Sequence, residues 1–136
     1  MISIGRIIMI KRLTLLAMLL SLVFPLQAQL ANAPKREVRA VWLTTLKNLD
    51  WPTTRGRDIH SIGRQKQELR DILDKYQKAN INTVLLQAVV RASVIYPSAI
   101  YPWDACMSGH FGLSPGYDPL AFAIDECHKR GMEVQA

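Results

Sequence analysis

The sequence predicts an α/β fold, strand, helix, strand, helix, strand around a parallel sheet, and three observations predict it. Two short runs, 38–45 and 83–90, are apolar and rich in β-branched residues, interrupted only by Arg39 and Gln87 before the terminal threonines of the first. Strands of that composition are buried on both faces, as in parallel sheets. Apolar residues at helical spacing fill the segments between strands. The connections are also asymmetric: those after strands are long and rich in polar and aromatic residues, whereas those after helices have about one or two residues. With right-handed crossovers, all the long loops land at the carboxyl ends of the strands, where α/β proteins bind ligands.

In chain order, Arg6, Lys11 and Arg12 precede an apolar run from Leu13 to Leu26, and Ala28, Ala31 and Ala33 follow it. These are the three regions of a secretory signal peptide, expected over residues 1–28 with cleavage after Ala28. Cleavage after Ala33 would place Pro34 next, which a signal peptidase disfavours. The run is too short to span a bilayer comfortably. The expectation is therefore export to the periplasm or beyond, with no stable membrane anchor after processing. Residues 29–36 read as a linker, and residues 37–136 as the folded part.

The first strand, 38–45, is followed by an irregular loop to Gly63 carrying Asn48, Asp50, Trp51-Pro52 and Gly56. Leu69, Ile72, Leu73 and Tyr76 then mark one face of a helix over 65–79, stopped at Asn80, a residue that tolerates left-handed backbone. The second strand, 83–90, gives way abruptly to Arg91, Ser93, Tyr96 and Ser98. A second long loop, 97–117, holds three prolines, Gly109, Gly112 and Gly116, with Tyr101, Trp103 and Phe111. Asp118-Pro119 signals an N-cap and a first helical position. Leu120, Ala123, Ile124 and Cys127 form the buried stripe of that helix, Gly131 ends it, and Met132 opens a third strand. Three strands and two helices leave both sheet edges open, so the expected whole is a larger barrel or open sheet of which this is the amino-terminal part.

The 136 residues carry a formal charge of +6. Removing the three basic residues of the leader leaves 14 Lys+Arg against 11 Asp+Glu, a net of +3 without a basic block, so nucleic-acid binding has no support. His60, His110 and His128 are scattered and no metal-ligand spacing occurs; no metal or other cofactor is expected. Cys106 and Cys127 are the only cysteines. Export makes a disulfide chemically possible, but Cys127 falls on an apolar helix face, where a buried free thiol is the plainer expectation.

Four phrases in order, REVRAVWLTTLKNLDWP, QKQELRDILDKYQKANINTVLLQ, VIYPSAIYPWDACMSG and SPGYDPLAFAIDECHKRGMEV, resemble the glycosyl-hydrolase-like family 10 domain over Arg36 to Ala136. The resemblance implies the amino-terminal β-α-β-α-β portion of a (β/α)8 TIM-type barrel, incomplete, in exported bacterial proteins regarded as glycosidases. It implies as substrate a cell-envelope or dietary polysaccharide, peptidoglycan glycan strands among them. Two positions depart from the family pattern. Val89 and Ala92 stand where an arginine and a glycine usually follow the glutamine, and the third strand reads Gln135-Ala136 in place of His-Ala-Trp.

Glycoside hydrolysis generally needs two carboxyl groups flanking the scissile bond. Asp50 and Asp104 lie in long loops beside tryptophans rather than at strand ends, and each reads first as a loop-capping aspartate. No catalytic residue is assigned within the chain, which alone is expected to be inactive. Substrate contact is expected instead from Gln87 and Arg91, as hydrogen-bond donors past the second strand, and from Tyr96 and Trp103 as stacking walls. Asp50 and Trp51 of the first loop complete the candidate set, Trp51 either stacking on a sugar or packing the loop down, while Trp42 is expected in the barrel core. The competing expectation is an exported carbohydrate-binding protein on a decayed, non-catalytic barrel.

Overall fold

The computed structural model describes residues 12–14, 18 and 37–136. The chain divides into two compact units, Met1–Glu37 and Val38–Ala136. In the first, residues 12–14 and 18 are helical and exposed. The expected leader, 1–28, and linker, 29–36, lie almost wholly outside the described residues.

The second unit contains, in order, β1 (Ala40–Leu43), a 3-10 turn (Leu46–Asn48), α1 (Ile59–Lys78), β2 (Thr83–Leu86), β3 (Val89–Val90), β4 (Ser93–Val94), α2 (Ala105–Ser108), α3 (Pro119–His128) and β5 (Glu133–Gln135). Strands β1, β2 and β5 form one parallel sheet in that order, and β3 pairs with β4 in a separate antiparallel hairpin. Trp42 is in register with Leu85, and Leu85 with Gln135.

Because side chains alternate along a strand, Val41, Leu43, Val84, Leu86 and Val134 share one face. They pack with Leu69 and Leu73 of α1 and with Ala123 and Cys127 of α3. The other face carries the row Trp42, Leu85 and Gln135. Trp42, expected in the barrel core, lies on this second face, away from the helices, and is 61% exposed, because β1 places Val41 and Leu43 on the helix side.

Caps explain the helix boundaries. Helix α1 begins six residues earlier than its apolar stripe predicts. The Asp58 carboxylate accepts from the His60 and Ser61 amides at 2.9 Å, and Ser61 Oγ accepts from the Asp58 amide at 2.9 Å, a closed capping box. That cap outweighs Gly63, which costs about 1 kcal/mol relative to alanine inside a helix. At the other end Asn80 has φ 58°, the Ile81 amide donates to Tyr76 O and the Asn80 amide to Gln77 O, both at 3.0 Å, a Schellman stop. Gly131, at φ 70°, ends α3 in the same way, with Met132 bonded to Cys127 O and Gly131 to His128 O. Asp118 caps its start by accepting from the Ala121 amide at 3.0 Å.

Two segments differ from expectation. The strand predicted over 83–90 stops at Leu86, and Val89–Val90 turns back on Ser93–Val94 through Arg91 and Ala92, both at positive φ (47° and 60°). Two central residues with φ > 0 fit a type I′ hairpin, whose usual Asn-Gly signal is missing here. The long loop contains the one-turn helix α2, started by Asp104.

The two long helices are tied by charge. Glu126, 5% exposed on α3, accepts from Arg130 at 2.8 Å and Lys129 at 3.1 Å and lies 3.4 Å from Arg70 of α1. Arg130 also reaches Asp74 of α1 at 2.7 Å. Burial alone would push the Glu126 carboxyl up, but the hydrogen bonds from Arg130 and Lys129 and the charge of Arg70 bring it down to about 2. Cys106 and Cys127 are both buried free thiols.

Candidate functional site

The loops following β1 and the hairpin are locked to one another before they form any surface. Gln65 of α1, fully buried, donates to Thr54 O at 2.9 Å and Met107 O at 3.0 Å and accepts from the Tyr117 hydroxyl at 2.6 Å. The Gly56 amide meets the same Met107 O at 2.8 Å, and Asn48 Nδ2 bonds to Pro52 O and Cys106 O. Glu68 holds the Thr53 and Thr54 amides and the Thr54 hydroxyl. Every buried side-chain nitrogen and oxygen among the described residues has a partner, so the loop face is a built surface, as buried polar networks require.

Trp51 is 0% exposed, and its indole nitrogen donates to Gln65 O at 2.8 Å. It therefore offers no face to a sugar, so of its two expected roles the structure shows loop packing and not stacking: an amphipathic ring with its N–H satisfied is a loop anchor. Asp50 is exposed and accepts from the Thr44 amide at 2.9 Å, closing the first loop on β1. Asp104 accepts from the Cys106 amide at 2.8 Å, and Ser93 Oγ lies 2.5 Å from its Oδ2. Burial raises the Asp104 carboxyl, but these bonds and the charge of Arg91 hold it below the usual carboxylate range. Both aspartates act as caps.

At the carboxyl ends of the three parallel strands lies a cavity of 470 Å³ lined by Trp42, Leu85, Gln87, Val89 and Gln135, among others. Gln87 is its most constrained polar group. Its Oε1 accepts from the Thr44 hydroxyl and from the Leu46 amide at 3.3 Å, while the Thr45 hydroxyl donates to Gln87 O at 2.9 Å. Because the Leu46 N–H is unambiguously a donor, it fixes which end of the amide faces it. The Nε2 group is left with no protein partner among the described residues. The site thus presents a half-open indole face and an oriented amide donor, a pair suited to a ring with hydroxyl or acetamido substituents.

Of the residues expected to touch a ligand, only Gln87 lines this cavity. Arg91 stands exposed at the hairpin turn. Tyr96 is half-buried against the core. Trp103, also half-buried, pairs through its backbone with Val94. Trp42 and Thr44 contribute what sequence reasoning missed. The strand alternation that separates Trp42 from Val41 and Leu43 was available, but which face the helices would cover was not.

A parallel sheet with consecutive strands side by side, helices packed on one face, and a concave site at the carboxyl ends defines the chain as an α/β protein with its candidate site where such folds bind ligands. The chain belongs to the Glycosyl hydrolase-like 10 family, whose match covers residues 37–136. It is 46% identical over 108 residues to "Glycosyl hydrolase YngK" of Bacillus subtilis (strain 168), covering 79% of this chain and 21% of that protein. It is 42% identical over 116 residues to "Glycosyl hydrolase DigH" of Escherichia coli (strain K12), covering 82% of this chain and 26% of that protein. The chain thus spans about a fifth to a quarter of the length of the curated relatives it matches.

Proposed function

We propose that this chain is the amino-terminal portion of an exported glycoside hydrolase with a (β/α)8 barrel, acting on a cell-envelope or dietary polysaccharide. Within it, this portion supplies part of the substrate-binding wall. The catalytic carboxylates come from other strands. The observation that carries the reading is the cavity at the strand ends, where the free amide donor of Gln87 stands beside the exposed face of Trp42. Consecutive, parallel β1, β2 and β5 with both long helices on one face support a barrel, in which the row Trp42, Leu85 and Gln135 faces inward. Arg91, exposed at the hairpin turn that follows Val89 of the cavity wall, is proposed as a further substrate contact.

Replacing Gln87 by alanine in the full-length protein tests it. Losing one neutral hydrogen bond to substrate is worth about 0.5–1.5 kcal/mol, a roughly two- to tenfold fall in kcat/KM for release of reducing ends from glycan strands. Unchanged kcat/KM in a folded variant would remove Gln87 from the site, and absence of any glycan hydrolysis by the wild type would favour a non-catalytic carbohydrate-binding barrel. Export is tested separately by intact mass: cleavage near Ala28 is expected, and an envelope species retaining residues 1–28 would refute it.

A further inference from the structure

We infer that a second, anion-reading subsite lies at the outer rim of the loop face, built by Arg55, Arg57 and His110, and that it takes the carboxylate of an acidic sugar. A cavity of 370 Å³ there is lined by Arg57 and His110, with Ile62, Leu113 and Pro115 as its apolar part and Ser114 at its edge. Arg55 and Arg57 converge on one point of the 108–110 turn. A Cβ built on Gly109 would lie 2.9 Å from Arg55 Cδ and 3.1 Å from Arg57 Nη2, and Gly109 has φ 84°. The left-handed backbone there favours glycine, and the two side chains lie over its bare Cα.

Neither guanidinium makes a hydrogen bond or an ion pair with a described residue. The carboxylates of Asp58 and Glu68 hydrogen-bond neutral groups of the loop, Asp58 the His60 and Ser61 amides and Glu68 the Thr53 and Thr54 amides, and form no ion pair with either arginine. Arg57 lines the cavity with its guanidinium unpartnered among the described residues, and an anion placed there gains charge-assisted bonds from it, with the Arg55 side chain beside it over Gly109. One point of the wall is fixed in advance, since the Gly56 amide is bonded to Met107 O. The planar guanidinium fork suits a carboxylate, and the apolar side formed by Ile62, Leu113 and Pro115 suits the C–H face of a pyranose ring, which a bare inorganic anion would leave uncovered.

This rests on reading the chain as part of a glycan-acting protein, yet it is tested by binding alone. The full-length protein is titrated calorimetrically with a glucuronate-containing oligosaccharide, with its methyl-esterified neutral counterpart, and with inorganic phosphate. The acidic oligosaccharide should bind at least tenfold more tightly than the ester, with an advantage that shrinks as salt is raised. Arg57→Gln and Arg55→Gln, which alter exposed side chains and should keep the wild-type circular dichroism, should each erase most of that ratio. Chemical-shift changes in the His110 ring on titration locate the ligand independently of either variant. A ratio near one, a ratio indifferent to both variants, or phosphate binding without preference for the acidic sugar would overturn the assignment. Loss of glycan cleavage with the ratio intact would instead overturn the glycosidase reading alone.

Discussion

Replacing Gln65 by leucine should loosen the whole loop face, because one buried amide joins α1 to both long loops. The change conserves most of the side-chain volume, so little cavity is created. It removes the bonds to Thr54 O, Met107 O and the Tyr117 hydroxyl. These losses are unequal. Met107 O keeps the Gly56 amide at 2.8 Å, and Thr54 is half-exposed, so water can replace its partner. The Tyr117 hydroxyl loses the acceptor the structure gives it. One unpaired buried group at about 1–3 kcal/mol, with two modest bonds lost, gives a cost of roughly 3 kcal/mol. For a cooperative unit of about 150–250 residues, nearer the size of a whole barrel, that is roughly a 6–12 °C fall in Tm. Thermal melts of the full-length protein read it, with tryptophan emission reporting whether Trp51, bonded to Gln65 O, becomes wet. Tyr117→Phe alone should cost about 1 kcal/mol and add little to Gln65→Leu, since both break the same bond. A Gln65→Leu protein within 0.5 kcal/mol of wild type would refute the clamp.

Other outcomes follow from single features. Ala92→Gly should stabilise the hairpin by about 1 kcal/mol, because an alanine at φ 60° carries strain that glycine escapes; no gain in Tm would mean that the turn relaxes that strain elsewhere. The Glu126 carboxyl is held at about 2, below its ordinary 4.5, so its contribution to stability is full above about pH 4.5 and is lost as pH falls toward 2. Glu126→Gln should flatten that acid limb and cost roughly 2 kcal/mol at pH 7, less than a fully buried pair because Lys129 is solvent-exposed; urea midpoints across pH measure both. Burial raises the Cys127 thiol to about 11 and the Cys106 thiol further. Neither should react with a thiol reagent at pH 8 until denaturant is added, when both should.

Much of the fold was legible because local signals and tertiary need agreed. Asp118-Pro119 and Gly131 bounded α3, and the stripe Leu69, Leu73, Ala123, Cys127 became its core contacts. The start of α1 was misread because Gly63 and the nearby turn residues masked the Asp58–Ser61 capping box, a signal that lies in the sequence. The hairpin was not legible: Val89 and Val90 have strand composition, and nothing in Arg91-Ala92 announces a type I′ turn.

The candidate site divides along the same line. By itself the sequence determined that polar groups would gather after the strands and that Gln87 would be among them, because strand period and loop length are local properties. Only the tertiary structure decided that Trp51 is an anchor, that Trp42 lies on the face away from the helices, that Thr44 and Leu46 orient the Gln87 amide, and that the Arg55 and Arg57 side chains pass over Gly109. Those facts depend on which surfaces the packed helices cover and which loops touch. Contacts between residues tens of positions apart leave no periodicity in the chain that makes them.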